Sequence, residues 1–581
     1  VEGRFLMFEN IRESLHFLRL DPPTRIVRRT LSQGLRKGFV RGLKPLALPS
    51  MLKLVLEQGV GTHMIHGLWA STVPDRVAVQ DSRSSLTYEQ MDRDINKLAN
   101  ALALEVGVGK RTPVVLMMEN RCEYVVSWIA SMRLGASAVH ASYRFRPEEL
   151  HYQVIHSRAR VIIVDEDRLP VVEQMLAEFE LEHPVTVIVV GSLRPVPRGA
   201  FLDWRGLLEL GSAHAPIRDG AKLESANVVY TSGTTGKPKG AVRDFTSFGA
   251  AELFRILERL DVRAGDRHLI VAPLYHSGAQ AFCLMQAALG ATVVLEPHFD
   301  AEQTLRALSE HQIHSIFMVP TMIRRILELD ASVHALYPTP HLRAVVSGAA
   351  PFPQALREKA IVRFGAEHIF DFYGATELGW VTLIRGDEML DCPGSVGRAV
   401  AGQELAIFSE DGQRLPPGEV GLVHVRNQQT MEGYLDNKAA TDATRKGAWV
   451  GVEDLGRLDE AGYLYIEGRA RDMIISGGVN IYPVEIEEVL AKHPEILEVA
   501  VVGVPDEDFG ERLICCYVSA DGEALEDGEL AGFVRDHLAR FKVPRQWERF
   551  DLLPRNPTGK VLKRALREVL TQTAPEGGEE E

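Results

Sequence analysis

Eleven residues, Tyr230 to Gly240, carry the densest chemistry in the chain. Between Thr231 and Lys239 run Ser232, Gly233, Thr234, Thr235, Gly236, Lys237 and Pro238. Small residues let backbone approach a polyphosphate closely, hydroxyls and N–H groups donate to its oxygens, and Lys237 and Lys239 offset its charge. The expectation is a phosphate-cradling loop, against the alternative of a plain Gly/Thr turn. It is not a Walker A loop, which needs Ser or Thr after its Gly-Lys, where Pro238 stands here. A second cluster, Asp371 to Glu377, joins an aromatic able to stack on a base, Tyr373, to Thr376 and Glu377, a hydroxyl and a carboxylate suited to phosphate and Mg²⁺.

Such groups need a rigid frame. The strand-like Asn227-Val-Val229 precedes the first loop, and β-branched runs at 112–118, 161–164, 185–190 and 342–346 alternate with helical patterns. That alternation predicts α/β layers with largely parallel sheets. After about Gly468 a compact unit follows, with a helix opening at Pro483 and presenting Ile486, Val489 and Leu490 on one face, then strands near 499–504 and 513–518. The predicted organisation is a basic N-terminal segment (1–55), a large multi-subdomain N-terminal domain (56–468), a small, mobile α+β C-terminal domain (469–570) and an acidic tail (571–581).

Composition narrows the function. The chain has 581 residues, a 45% hydrophobic fraction and a formal net charge of -14, enough apolar material for several cores and the wrong sign for broad nucleic-acid binding. Five cysteines without CxxC spacing read as reduced thiols of a cytoplasmic protein. No apolar run approaches the roughly 18 residues of a membrane span, and no signal-peptide pattern is present. Val at position 1 leaves the natural start of the chain open. Over residues 1–44, ten Lys and Arg against four Asp and Glu leave +6, with Ile11, Leu15 and Leu18 at helical spacing. This segment is either a helix packed on the main domain or a peripheral anchor on an anionic membrane surface.

The Tyr230–Gly240 string closely resembles the signature loop of the adenylate-forming superfamily: acyl-CoA synthetases, adenylation domains of peptide synthetases and beetle luciferases. Further signatures follow in that family's order: Tyr275-His276, Ser347 to Pro351, Asp371 to Glu377, Asp454, Gly468-Arg469 and Pro554 to Lys560. The resemblance implies ATP-dependent activation of a carboxylic acid to an acyl-adenylate, then transfer to coenzyme A with release of AMP and pyrophosphate. It implies that Thr231 and Glu377 hold Mg²⁺. Gly348, Ala349, Ala350 and Pro351 would leave room for adenine on one side and an acyl chain on the other, and Asp371, Phe372, Tyr373, Gly374, Ala375 and Thr376 would complete the nucleotide site. Asp454 and Arg469 would reach the ribose. His276 would lie beside the reacting carboxylate, and Lys560, held on an exposed tip, would act as the catalytic lysine. Arg471 takes the hinge position; turning there would withdraw Lys560 and bring Ser476, Gly477 and Gly478 beside the CoA pantetheine.

Two departures are visible: many members read Thr-Gly-Asp where this chain has Val452-Glu453-Asp454, and Asp or Lys is more usual at the hinge position that Arg471 takes here. The segment Ser277–Gln286 and Gly348 point to a roomy, uncharged acyl pocket, hence a medium- to long-chain fatty acid. Aryl acids, a carrier-protein acceptor and a non-catalytic nucleotide- or lipid-binding relative are the alternatives. An amino-acid-activating domain is disfavoured, because Leu274 to Gly278 offers no Asp for a substrate ammonium and no carrier domain follows Lys560. A homodimer is left open.

Overall fold

The computed structural model describes residues 64–191, 201–216, 226–231, 238–243, 256–476, 479–506, 509–555 and 560–572. The basic segment, the loop residues Ser232–Lys237, Gly477 and Gly478, residues 556–559 and residues 573–581 of the acidic tail lie outside them, residues 571 and 572 closing the last helix instead. The fold is α/β, with three sheets.

The first sheet carries the parallel strands β1 (Pro113–Met117), β2 (Ser137–His140), β3 (Val161–Asp165) and β4 (Thr186–Val190), joined by β5 (Ala226–Thr231). Their near-continuous burial explains the β-branched runs, because a parallel sheet covered on both faces has no wet side. Strand β6 (Lys239–Arg243) returns antiparallel to β5, pairing Thr231 with Lys239. Thr231 and Lys239, which flank the rest of the signature string, are thus fixed in register.

The second sheet runs through parallel strands β7 (Arg267–Ile270), β8 (Thr292–Leu295), β9 (Ser315–Met318), β10 (Ala344–Gly348) and β11 (Ile369–Ala375). The antiparallel strands β12 (Gly379–Arg385), β13 (Trp449–Leu458) and β14 (Tyr463–Arg469) belong to it as well. Helices α1 (Ser277–Ala288), α2 (Pro320–Leu327) and α3 (Gln354–Phe364) pack around it. His276, Ser347–Pro351 and Asp371–Glu377 all lie at or beyond the carboxyl ends of parallel strands, where open α/β sheets place their ligands.

The chain leaves this sheet at Arg469, passes through one 3₁₀ turn, Ala470–Asp472, and enters a five-stranded sheet. There α4 (Pro483–Leu490) buries Pro483, Ile486, Val489 and Leu490. The long hairpin β15 (Ile496–Asp506) and β16 (Gly510–Ser519) carries the small core, and α5 (Lys563–Gln572) packs Leu566 and Leu570 against it. Arg471 lies inside the three-residue connection.

The Val452-Glu453-Asp454 departure has a clear outcome. Glu453 adopts φ +63, the left-handed backbone that a glycine takes without penalty. Asp454 still pairs with Arg469 across β13 and β14. Glu453 therefore holds this backbone at a conformational cost. Glu453→Val, whose branched Cβ tolerates this backbone least, is expected to lower stability by about 1–2 kcal/mol in chemical denaturation, while Glu453→Gly is expected to be neutral or better.

Candidate active site

The site assembles where the two large sheets meet. Glu377, buried to 8% exposure, follows β11 and accepts hydrogen bonds at one carboxylate oxygen from the Thr231 hydroxyl (3.3 Å) and the Tyr434 hydroxyl (2.8 Å). Thr231 ends the first arm of the signature hairpin, and Tyr434 pairs with Ala241 on its second arm. One carboxylate therefore ties the base of the phosphate loop to the central sheet. Lys239, at the start of the second arm, places its ammonium over the Tyr434 ring, 5.3 Å from the centroid.

A second cluster centres on Asp454, also buried. Its two oxygens accept from the Tyr373 hydroxyl (2.7 Å) and the Arg469 Nε (3.1 Å). Tyr373, Asp454 and Arg469 are thus brought together by β11, β13 and β14. Lys560 reaches the same place from the C-terminal unit: Arg469, Asp454, Glu377 and Arg471 all act on its charge. Lys560 is exposed, and desolvation by the surrounding chain followed by Arg469 lowers its pKa from the ordinary lysine value, opposed by Asp454 and Glu377. Arg471 is likewise lowered, by burial and then by Arg469.

His276 precedes α1 and packs its ring against Tyr275, with centroids 4.1 Å apart. The next residue, Ser277, shares a 3.0 Å hydrogen bond with Thr376, which brings the start of α1 to the end of β11. Ala349 takes φ +66 as the chain turns off β10, exposing Ala349 and Pro351 and half-burying Ala350 at the mouth.

Two expectations need correction. Asp371 does not face the mouth; its carboxylate is buried and paired with Arg357 of α3 (2.7 Å), which also donates to the Ser395 carbonyl. Burial pushes the Asp371 carboxyl up to about 6, with the Arg357 guanidinium pulling the other way. Gly348 does not open a roomy space either. A Cβ there would stand 2.5 Å from the Phe372 ring, and Phe372 itself stacks on Trp380 within a buried cluster that includes Phe282 and Phe317. The Phe372 side chain thus packs into this aromatic cluster. Tyr434, Arg357 and Arg243 are neighbours of these residues that sequence reasoning did not single out. Arg243, buried on β6 and donating to the Gln429 carbonyl, has its pKa lowered to about 10 by burial, with Glu377 opposing. The signal nearest to hand was its place in the hairpin four residues after Lys239.

Comparison with known proteins gives the family. Residues 68–435 match the AMP-binding enzyme model, and residues 485–560 match the AMP-binding enzyme C-terminal domain. The chain belongs to the AMP-binding enzyme family. This AMP-binding enzyme is 32% identical over 505 residues to a long-chain-fatty-acid–CoA ligase (FadD13) of Mycobacterium tuberculosis, covering 84% of this chain and 94% of that one. It is 31% identical to a 2-succinylbenzoate–CoA ligase of Bacillus mycoides, covering 87% and 98%. Its structure is similar, with TM-score 0.74 and 27% identity over 87% and 98% of the chains, to the Bacillus subtilis o-succinylbenzoate–CoA synthetase in complex with its acyl-adenylate intermediate.

In an AMP-binding enzyme, the Tyr434 hydroxyl has a job that the sequence did not announce: orienting Glu377. Tyr434→Phe removes one hydrogen bond to a charged group and is expected to slow adenylation about 10-fold. Pyrophosphate release measures the effect, and an unchanged rate would free Glu377 from this dependence.

Proposed function

We propose that this adenylate-forming acid–thiol ligase activates a medium- to long-chain fatty acid in two steps at one site. The convergence of Thr231, Glu377, Asp454, Arg469 and Lys560 on one mouth is the observation that carries the reading. A carboxylate is a poor electrophile, because attack on it would have to expel an oxide. Attack of the substrate carboxylate on the ATP α-phosphate exchanges that oxide for AMP and releases pyrophosphate. Two anions must meet, so positioning and charge compensation supply most of the rate. Lys560 is set to neutralise charge on the reacting carboxylate and α-phosphate, while Asp454 receives ribose hydroxyls and is oriented by Tyr373 and Arg469. In the second step the CoA thiol attacks the acyl carbonyl of the adenylate and AMP leaves. The connection at Ala470–Asp472 is where the small domain turns between the two steps, exchanging Lys560 for the Ser476–Gly478 segment.

Among the described residues no cluster of three or more His, Cys, Asp or Glu is placed to hold a metal. The adjacent Glu377 carboxylate and Thr231 hydroxyl are hard oxygen donors that fit Mg²⁺, which takes one or two protein ligands alongside substrate phosphates and water. When bound there, Mg²⁺ supplies charge neutralisation on the phosphates.

A second reading, an aryl acid, is favoured by one observation: rings of Phe372 and Phe317 fill the space against Gly348 and Gly278. Pyrophosphate release across fatty acids of increasing length, with benzoate and cinnamate analogues, decides between them; activity confined to the aromatic acids would reject the fatty-acid reading, and none with any acid would reject both. Among the described residues no helix is long and apolar enough to cross a membrane. The +6 charge of residues 1–44 supports peripheral contact with anionic lipid. Retained liposome sedimentation after deletion of residues 1–45 would remove that part of the reading.

A further inference from the structure

Arg324 lies on α2, on the flank of the large domain. Its guanidinium crosses to the small domain, where Nη1 donates to the Leu497 carbonyl (2.6 Å) and Nη2 to one oxygen of the Glu498 carboxylate. The other Glu498 oxygen accepts from Arg555 Nη2 at 2.7 Å. All three side chains are largely shielded from solvent, with exposures of 22%, 13% and 23%. Burial alone would push the Glu498 carboxyl up, but the two guanidiniums more than offset it and hold it below the usual glutamate value.

Arg555 stands five residues before Lys560. It forms an antiparallel bridge with Val561, and the Leu562 N–H donates to the Pro554 carbonyl, so Pro554 and Arg555 are tied to the residues that directly follow Lys560. The chain of contacts is continuous: α2 holds Glu498, Glu498 holds Arg555, and Arg555 is the base of the segment presenting Lys560. We infer that Arg324, Glu498 and Arg555 form a releasable clasp holding the Lys560 segment in its adenylating position, which makes Arg324 a positioning residue for the first half-reaction. This rests on the two-step reading above.

The arrangement is suited to release as well as to holding. When the small domain turns, Glu498 keeps Arg555, because both belong to that domain. Arg324 keeps Glu328 one turn along α2, now 3.9 Å away. Neither side of the broken contact is left as a buried charge without a partner, the condition that makes ion-pair rupture expensive. Arg324 is also matched to its task by shape. Its fork meets two acceptors at once, a carbonyl and a carboxylate, where a lysine offers a single compact charge.

The test compares half-reactions in the full chain, with dodecanoate as the acid, or benzoate where dodecanoate is inert. Arg324→Gln is expected to slow pyrophosphate release about 10-fold, within the usual range for coupled equilibria. Thioester formation from the corresponding chemically supplied acyl-adenylate and CoA is expected at the unmutated rate or faster. Arg324→Lys should recover part of the first half-reaction. Equal loss in both half-reactions, or no loss in either, overturns the clasp. Hydrogen exchange in the unliganded protein gives a readout independent of substrate: Arg324→Gln should speed exchange of the Val561 and Leu562 amides, and unchanged exchange there also overturns it. If the unmutated protein activates neither acid, the synthetase reading is what fails, and the exchange comparison still decides the clasp.

Discussion

Lys560→Ala is expected to lower adenylation by about 10²–10³, the loss of about 3–4 kcal/mol of contact to charge developing in the transition state. Lys560 enters a mouth already occupied by Arg469 and Arg471, and its ammonium is held there against desolvation by Asp454 and Glu377. So unfavourable a location for a cation is useful only when anionic substrates arrive to share it. Thioester formation from supplied acyl-adenylate and CoA needs no such contact and should proceed near the unmutated rate. The complementary change is Arg471→Pro, which fixes φ and removes an N–H within the connecting turn; it should spare adenylation and slow thioester formation. Equal impairment of both half-reactions by Lys560→Ala, in protein that circular dichroism shows folded, would refute the two-position mechanism.

Arg357→Met is expected to destabilise the large domain by about 3–5 kcal/mol, because it strips the cation from the buried carboxyl of Asp371. The pH dependence gives the sign. Asp371 already sits at about 6 in the folded chain, above the free value of 3.8, and without Arg357 it moves further up. A carboxyl raised by folding costs stability at pH above its folded pKa, and that cost vanishes below its unfolded pKa. The unfolded carboxyl is common to both proteins and cancels, so the titrating part of the difference should be absent below about pH 6, where both folded carboxyls are protonated, and should grow as pH rises above it. Denaturant titrations at several pH values measure it, and a deficit independent of pH would place the effect in packing alone.

The frame of the molecule was legible because its strands are buried on both faces. That forces runs such as Val161 to Val164 and Thr186 to Val190, which no other local structure explains as well. The helix at Pro483 announced itself through a rigid first residue and an apolar face at 486, 489 and 490. Among the site residues, Thr231 and Glu377 touch, Tyr373 and Arg469 converge on Asp454, and Lys560 reaches the same charges, although 146 residues separate the first pair. What sequence could not carry was register. Gly348 reads as empty space until β10 and β11 are aligned with Gly348 opposite Phe372, which puts a ring in the gap. Asp371 reads as a ligand until α3 delivers Arg357 beneath it. Tyr434 acquires meaning only when its short strand pairs with β6. Each depends on how distant elements dock, a property of packing and not of local pattern.

The mouth of the site differs in sign from the molecule that surrounds it. The chain carries a formal -14, yet Lys239, Arg243, Arg469, Arg471 and Lys560 gather around Glu377, Glu453 and Asp454. An approaching nucleotide triphosphate therefore meets repulsion at long range and attraction close in, with the crossover inside a Debye length of about 8–10 Å at physiological salt. Raising ionic strength from very low values should first speed ATP capture, as the outer repulsion is screened, and then slow it, as the inner attraction fades. Such a maximum in the encounter rate belongs to the spatial arrangement of charge, and the net charge of the chain alone would give only a monotonic rise.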